Sequence, residues 1–362
     1  MNKYYTLKNI LKENALYNVI IGERSNGKTY ATLEYAVKEY FKTGGQVAII
    51  RRWKEDITRK RSTELFTSII QNNLVYKYSK GKYTSIIFNV GKFYFCNYDE
   101  NNKPIYDLEN DCFGFIFALS DMEHNKSISY PNVTTIIFDE FLTKYVYLND
   151  EFMLFMNTLS TIIRDRNNVK IFMLGNTVNK FCPYFDEMGL NHIKNMKQGS
   201  IDLYTYGDTN LKVAVEYCNN VNRKKESNTY FAFNNPKLKM ITSGNWELDI
   251  YPHLPCKYKP KDILFTYFII FNDSIFQCEI INVNNTYFTY IHEKTTPLQE
   301  KKQNVVYSLE QSNNMLYSRN ILKPINKIQN RIKWFFDADK VFYQNNDVGN
   351  TINNYLKICK GW

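Results

Sequence analysis

In Gly22-Glu23-Arg24-Ser25-Asn26-Gly27-Lys28-Thr29, two glycines, a lysine and a threonine stand at the spacing that turns backbone N–H groups around a triphosphate. The chemistry needs Gly22 and Gly27 where a Cβ would block the turn, Lys28 to reach the outer phosphates, and the Thr29 hydroxyl to ligate Mg²⁺. A second group of reactive residues lies more than a hundred positions on, where Val133-Thr134-Thr135-Ile136-Ile137-Phe138 ends in Asp139-Glu140. Beside a phosphate loop, Asp139 can hold the metal's ligand shell while Glu140 orients and polarises the attacking water. A glutamate at this place favours ATP-driven motors over GTPase switches, which position the water with a glutamine.

These groups need a scaffold that brings them together. Tyr17 to Ile21 is a short β-branched run that reads as a buried strand, and Ala31, Leu33, Ala36, Val37, Tyr40 and Phe41 recur at helical spacing until Gly44-Gly45. Gln46 to Ile50 completes a β-α-β unit. It ends in Arg51-Arg52-Trp53-Lys54, with Arg59-Lys60-Arg61 beyond, on the side where open α/β sheets bind ligands. Those cations suit phosphate, DNA or a neighbouring subunit, and equally a solvated face. Tyr83 to Phe88 and Lys92 to Cys96 read as a hairpin around Asn89-Val90-Gly91. Phe113 to Leu119 and Val169 to Leu174 are further strands. The last of these closes at Asn176, an amide placed to sense the γ-phosphate, although asparagine is also an ordinary turn former. Phe152 to Ile163 is an amphipathic helix ending in Arg164-Asp165-Arg166. Cations there favour the helix dipole; an arginine at a helix end can also reach a neighbour's nucleotide and stabilise transition-state charge.

With 362 residues and 44% apolar content the chain can bury substantial cores, and two domains are expected. The formal charge of +10 suits a polyanionic partner without choosing among ATP, nucleic acid and an anionic surface. Seven cysteines with no CxxC pair argue against a disulfide framework or zinc site and fit a reducing cytoplasm. No run approaches the 18 apolar residues of a membrane span and no signal-peptide core opens the chain, so a soluble protein is expected.

Taken together, Gly22 to Thr29, Arg51 to Lys54, Tyr130 to Phe141, Arg164 to Arg166, and Asn176 followed by Pro183-Tyr184-Phe185 resemble the genome-packaging ATPases of small podoviruses, the Picovirinae type. Roughly the first 200 residues carry the resemblance, most specifically Tyr130 to Phe141. It implies an α/β fold: a P-loop NTPase core of the additional-strand (ASCE) type, with a central mostly parallel sheet, followed by a smaller α+β domain. The implied activity is hydrolysis of ATP with Mg²⁺ to drive double-stranded DNA into a prohead. The protein would work as a ring, of five subunits by resemblance, docked on the portal in the host cytoplasm, with an RNA or protein adaptor as a further partner and no membrane. Position by position, Arg24 and Lys28 match the family's P-loop arginine and lysine, Asp139 and Glu140 its acidic pair, and Arg164 its trans-acting arginine. Lys54 and Lys126 match lysines near the subunit interface, and Arg166 is a further interface candidate. The hairpin and the segment from Asn97 to Asp111 look expanded relative to the family.

The polar run from Cys218 to Asn228 marks a linker, so we expect an ATPase domain over 1–217, a linker over 218–236 and a second domain over 237–362. In the latter, Ile263 to Phe271, Ser274 to Val283 and Tyr287 to His292 read as an antiparallel meander. Pro324 suits the first turn of a helix with Ile325, Ile328, Ile332 and Phe335 on its apolar face, and Lys323, Lys327 and Arg331 form a basic stripe for nucleic acid or for solvent. A last helix lies around Thr351 to Cys359. A meander followed by helices resembles the RNase H-like nuclease domain of large terminases. The first strand, however, has no Asp or Glu, Asp273 falls in a turn, and Glu279 has no evident carboxylate partner for a two-metal site. We therefore expect a nuclease-like domain without nuclease activity. The competing expectations are another ring helicase or DNA translocase, and a nucleotide-gated portal adaptor with little turnover.

Overall fold

The structure, a computed structural model, describes residues 4–121, 129–143, 147–148, 150–177, 182–207, 209, 211–219, 251–271, 274–298, 304–310 and 316–360. The chain forms two compact units, residues 1–247 and 248–362.

The first unit is built on a ten-stranded sheet. Its strands are β1 (Tyr17–Gly22), β2 (Gln46–Arg51), β3 (Ser85–Asn89), β4 (Lys92–Tyr98), β5 (Pro104–Ile105), β6 (Cys112–Ala118), β7 (Val133–Asp139), β8 (Lys170–Asn176), β9 (Ile201–Tyr206) and β10 (Leu211–Tyr217). The order is β3-β4-β6-β2-β7-β8-β1-β10-β9, with β5 on β4. From β6 to β10 along this order every pairing is parallel, and the flanking pairs β3–β4, β4–β6 and β9–β10 are antiparallel. The expected mixed α/β architecture with a large, mostly parallel sheet is what the chain adopts.

Near-continuous apolar runs follow from this layout, because strands covered on both faces bury successive side chains on opposite sides. Val19 and Ile21, Ala48 and Ile50, Ile136 and Phe138, and Ile171 and Met173 feed one core. Ile20, Val47, Ile49, Ile137, Phe172 and Leu174 feed the other. Helix α1 (Lys28–Thr43) covers the second core with Ala31, Leu33, Ala36 and Val37. It ends where the glycines predict, with Gly44 left-handed at φ 77° and its N–H on the Tyr40 carbonyl. Three short helices, α2 (Arg59–Glu64), α3 (Thr67–Gln71) and α4 (Leu74–Tyr78), lead into the β3–β4 hairpin. That hairpin turns through Val90 and Gly91, both at positive φ, as a two-residue primed turn requires. Helix α5 (Glu151–Ile163) covers the first core with Phe155, Leu159 and Ile162, joined by α6 (Pro183–Glu187).

Strands β9 and β10 are additions to the sequence expectation. Cys218, the first residue of the expected linker, belongs to this sheet: it is buried, and its N–H donates to the Ile21 carbonyl at 2.8 Å. Residues 220–236 of that linker lie outside the described residues.

The second unit carries a six-stranded sheet in the order β15-β14-β11-β12-β13-β16. Its strands are β11 (Ile263–Phe271), β12 (Ser274–Val283), β13 (Thr286–Glu293), β14 (Val306–Ser308), β15 (Tyr317–Ser318) and β16 (Val341–Tyr343). The expected antiparallel meander is β11-β12-β13, with β14 and β16 added parallel on either side. Asp273 lies outside the described residues. Two helices follow, α7 (Lys327–Asp337) and α8 (Asn346–Lys360). Helix α7 starts later than Pro324 suggests, because the Asn326 side chain caps the Gln329 N–H at 2.9 Å. Its buried face is accordingly Gln329, Ile332 and Phe335, while Ile325 and Ile328, expected inside, are 81% and 50% exposed. No helix among the described residues is long and apolar enough to cross a membrane.

Candidate active site

The loop from Gly22 to Thr29 joins the carboxyl end of β1 to the first turn of α1, where unpaired N–H groups and the helix dipole favour an anion. Its two glycines have distinct reasons. A Cβ at Gly22 would lie 2.8 Å from the Cys218 Cβ and 3.1 Å from the Asn26 amide nitrogen, and Gly27 sits at φ +100°. Within the loop the Asn26 side-chain oxygen accepts from the Lys28 N–H at 3.1 Å. The Lys28 Nζ, only 5% exposed as a residue, donates to the carbonyls of Gly22 at 3.3 Å and Glu23 at 2.7 Å, and to the side-chain oxygens of Asn26 and Asn176. Burial lowers the ammonium pKa, partly offset by Cys218, Asp139 and Glu23 nearby. Arg24 and Ser25 are the exposed members of the loop, whereas Glu23 is buried.

Sheet order places the acids. Strand β8 separates β1 from β7, so the carboxyl ends of all three lie together, with Gly22 in register with Asn176. The Thr29 hydroxyl donates to the Asp139 carboxylate at 3.3 Å. Glu140 follows in a left-handed conformation, φ +61°, with its carboxylate 68% exposed. From β2, on the far side of β7, the Arg51 guanidinium reaches both acids, 3.3 Å to Asp139 and 3.5 Å to Glu140. An open cavity of about 440 Å³ runs over the loop, lined by Arg24, Lys28, Thr29, Asp139, Glu140 and Asn176 among others. A second cavity of about 350 Å³ lies on the other flank of Glu140, bordered by Arg51, Asp56, Arg61 and Glu64.

Beneath Glu140 lies a buried ionic network. Arg52 Nε donates to the Glu151 carboxylate at 2.8 Å, while its terminal nitrogens donate to the main-chain carbonyls of Glu140 at 3.2 Å and Phe141 at 2.6 Å. The Tyr184 hydroxyl and the Leu148 N–H also donate to the Glu151 carboxylate, each at 2.8 Å. Burial works against the Arg52 charge, but the hydrogen bond and the charge of Glu151 outweigh it and raise the guanidinium pKa. Every partner in this network is satisfied, the condition under which a buried pair specifies geometry.

The loop residues, Asp139, Glu140 and Asn176 thus converge on one cavity. Arg164 caps α5 in an unusual backbone conformation, φ 52° and ψ −130°, and is exposed. Arg166, expected to face a partner, instead turns inward: its guanidinium donates to the carbonyls of Tyr130, Pro131, Val133, Ile162 and Ile163. Lys54 pairs with Asp121 at 2.8 Å. Lys126 lies outside the described residues. Lys323, Lys327 and Arg331 are exposed in the second unit, on and just before α7. In that unit the Glu279 carboxylate accepts from Tyr258 and Gln277, each at 2.6 Å, and lies 3.6 Å from His292. Among the described residues no group of three His, Cys, Asp or Glu side chains is placed to hold a metal ion.

In the sequence reading Arg51 and Arg52 are only cations on the ligand side of the sheet, Tyr184 enters only through the family resemblance, and Glu151 is not singled out. For the two arginines a signal existed, since they end the strand next to β7; nothing in the sequence pairs Arg52 with a glutamate 99 positions away.

Comparison with known proteins adds the following. A family model described as Podovirus DNA encapsidation protein (Gp16) matches residues 1–350. The DNA packaging protein of Bacillus phage B103 is 30% identical over 184 residues, 50% of this chain and 50% of that protein. That of Bacillus phage phi29 is 26% identical over 185 residues, 50% and 49% respectively. The chain thus spans about half the length of the curated relatives it matches. Among solved structures, a chain of the bacteriophage Phi-29 viral genome packaging motor assembly superposes with a TM-score of 0.61 at 22% identity, covering 98% of this chain and 97% of that one. The Phi-28 gp11 DNA packaging motor gives 0.57 at 17% identity, covering 99% of both. At these identities the superpositions establish a shared fold.

Proposed function

The chain belongs to the Podovirus DNA encapsidation protein (Gp16) family, and from that premise we propose that it is an ATP-hydrolysing motor that drives double-stranded DNA into a prohead. The observation that carries the proposal is the 3.3 Å contact between Thr29 and Asp139. It joins the phosphate loop to the acidic strand end with Glu140 beside it. The residues fit the groups such a reaction requires. The start of α1 offers unpaired N–H groups to phosphate, and a hydroxyl and a carboxylate offer the hard oxygen ligands Mg²⁺ prefers. Mg²⁺, when bound, supplies charge neutralisation on the outer phosphates.

In this reading each residue has a separate task. The loop N–H groups and Lys28 hold the phosphates and offset the negative charge that grows in the transition state. Glu140 accepts the hydrogen bond of the attacking water and orients it in line. Arg52, fixed by Glu151 and gripping the Glu140 and Phe141 carbonyls, holds Glu140 in its left-handed conformation. Arg164, exposed at the end of α5, is assigned to the nucleotide of an adjoining subunit in a ring. DNA, the portal and any adaptor are partners by family membership, and the second unit is assigned to holding one of them rather than to cutting DNA.

The test is a packaging assay with proheads, double-stranded DNA and ATP, run beside an ATPase assay. Wild type should hydrolyse ATP and protect DNA from nuclease. Glu140→Gln should retain ATP binding while losing about 10²- to 10⁴-fold in turnover. Equal, slow hydrolysis by both proteins would overturn the motor reading.

A further inference from the structure

A lysine ammonium has three protons to donate, and that of Lys28 has four oxygens within reach among the described residues. Two are main-chain carbonyls, Gly22 at 3.3 Å and Glu23 at 2.7 Å, and two are side-chain amide oxygens, Asn26 at 3.2 Å and Asn176 at 3.3 Å. The carbonyls are set by the path of the loop. The amide oxygens hang on rotatable side chains and can leave. Asn26 holds a second donor as well, since the same Oδ1 accepts from the Lys28 main-chain N–H at 3.1 Å. One neutral oxygen therefore covers both Lys28 donors that the nucleotide reading gives to a triphosphate, the N–H at the start of α1 and the ammonium.

The Asn26 backbone is anchored independently of its side chain. Its carbonyl accepts from the Tyr5 N–H at 2.9 Å, and the Tyr5 hydroxyl is fixed on Glu216 at 2.6 Å. The residue is 1% exposed, and the two ends of its buried amide are unequal. The oxygen has two donors, both from Lys28. The nitrogen has no hydrogen-bond partner among the described residues; near it lies the Cys218 thiol, a weak acceptor. A buried amide N–H without a good acceptor raises the free energy of the pose that buries it. The inward pose is thus held by the bonds to Lys28, the same bonds that an anion arriving at Lys28 takes over.

We propose that Asn26 is an internal stand-in for phosphate, its side-chain oxygen occupying Lys28 until a triphosphate displaces it, and that this competition sets the affinity of the nucleotide site. The proposal rests on the nucleotide reading of Gly22 to Thr29 and deepens it, because it gives the loop a built-in competitor that the incoming phosphates turn out.

The test is calorimetric titration of the full chain with ATP and with inorganic tripolyphosphate, each with Mg²⁺. Asn26→Leu, of nearly the same shape without the oxygen, should bind ATP about 3- to 10-fold more tightly than wild type, the worth of one neutral hydrogen bond. Tripolyphosphate should tighten by the same factor, because the competition is for the phosphate end. Asn26→Ala should repeat the sign of both changes, which separates the lost oxygen from any misfit of leucine, and thermal unfolding of each variant verifies that it folds. Affinity unchanged or weakened in both folded variants would overturn the proposal, the amide then supporting the loop rather than opposing the ligand. A gain confined to ATP would also overturn it, since the oxygen would then act away from the phosphates. Neither ligand binding wild type would remove the nucleotide reading and the proposal with it.

Discussion

The Arg51 guanidinium bridges the two acids that end β7, one nitrogen 3.3 Å from Asp139 and another 3.5 Å from Glu140. In the nucleotide reading proposed above, a cation in that position would compete with Mg²⁺ for Asp139 and hold Glu140 away from the attacking water. Replacing it with a neutral side chain of similar reach, Arg51→Gln, should tighten Mg²⁺-dependent ADP binding. The acids are partly solvated, so the gain is modest, about 2- to 5-fold. Titrating ADP at several Mg²⁺ concentrations reads it; an affinity that stays put or falls would show that the bridge does not oppose the metal.

The buried pair below the site predicts a separation of stability from turnover. Glu151→Ala leaves the Arg52 charge buried without its partner and should cost about 3–5 kcal/mol of stability. Removing both charges, as in Arg52→Met with Glu151→Leu, should recover part of that loss. Turnover should stay low in the double variant, with KM for ATP little changed, because nothing then grips the Glu140 and Phe141 carbonyls. Thermal unfolding and steady-state ATPase on the same preparations decide it. Turnover returning along with stability would mean that Arg52 does no positioning.

The contrast between these two arginines also shows what was legible in the sequence. Gly22 to Thr29 and Val133 to Glu140 announce themselves because a local pattern, a glycine turn or an apolar run ending in acids, carries the chemistry. Tyr5 with Glu216, 211 positions apart, and Arg52 with Glu151 are made by sheet order, which no local spacing encodes. Strands β9 and β10 carry no such local signal, because Asp202 and Thr205 in β9 and Lys212 and Glu216 in β10 break the fully apolar pattern that marks the inner strands, and β9 is an edge. Helix α7 misled in another way. Ile325 and Ile328 fit an apolar stripe by spacing, yet capping by Asn326 starts the helix after Ile325, and both side chains stay largely in solvent. Arg166 looked like a partner-facing cation, and only the fold shows five carbonyls of its own chain within its reach.

In the second unit, His292 and Glu279 predict a pH dependence. The Glu279 carboxylate, 3.6 Å away, raises the His292 pKa above its ordinary value of 6.5, against the opposing effect of burial. Burial pushes Glu279 up, but the nearby His292 and the hydrogen bonds from Tyr258 and Gln277 more than reverse it, and its pKa ends below 4.5. Tyr290 packs on the imidazole, and Lys294 opposes its charge. The histidine's contribution is complete below pH 6.5 and is lost as pH rises through its raised pKa. The glutamate's is complete above pH 4.5 and is lost as pH falls through its lowered one. The pair therefore stabilises most between those two values. Unfolding of the full chain followed from about pH 5 to 8 should show stability falling toward the alkaline end, and His292→Gln should flatten that slope. An unchanged slope in the variant would assign the dependence to other groups.

Arg164 supplies the sharpest test of an intersubunit site, because its backbone and its side chain make opposite demands. At φ 52° and ψ −130° an L residue is strained, a cost of order 1–3 kcal/mol that persists where a site requires the side chain. Glycine adopts the same conformation without that penalty. Arg164→Gly should therefore unfold at the same temperature as wild type or higher, yet hydrolyse ATP poorly. A side chain kept only for contacts within its own chain predicts the reverse, lower stability with turnover intact. Mixing then locates the guanidinium. Arg164→Gly subunits retain Glu140, and Glu140→Gln subunits retain Arg164, so adjoining copies complete one another's sites if the arginine acts on its neighbour. Hydrolysis should rise in the mixture above either variant alone and peak at intermediate ratios, whereas an arginine serving its own subunit's nucleotide leaves every mixture as slow as its parts.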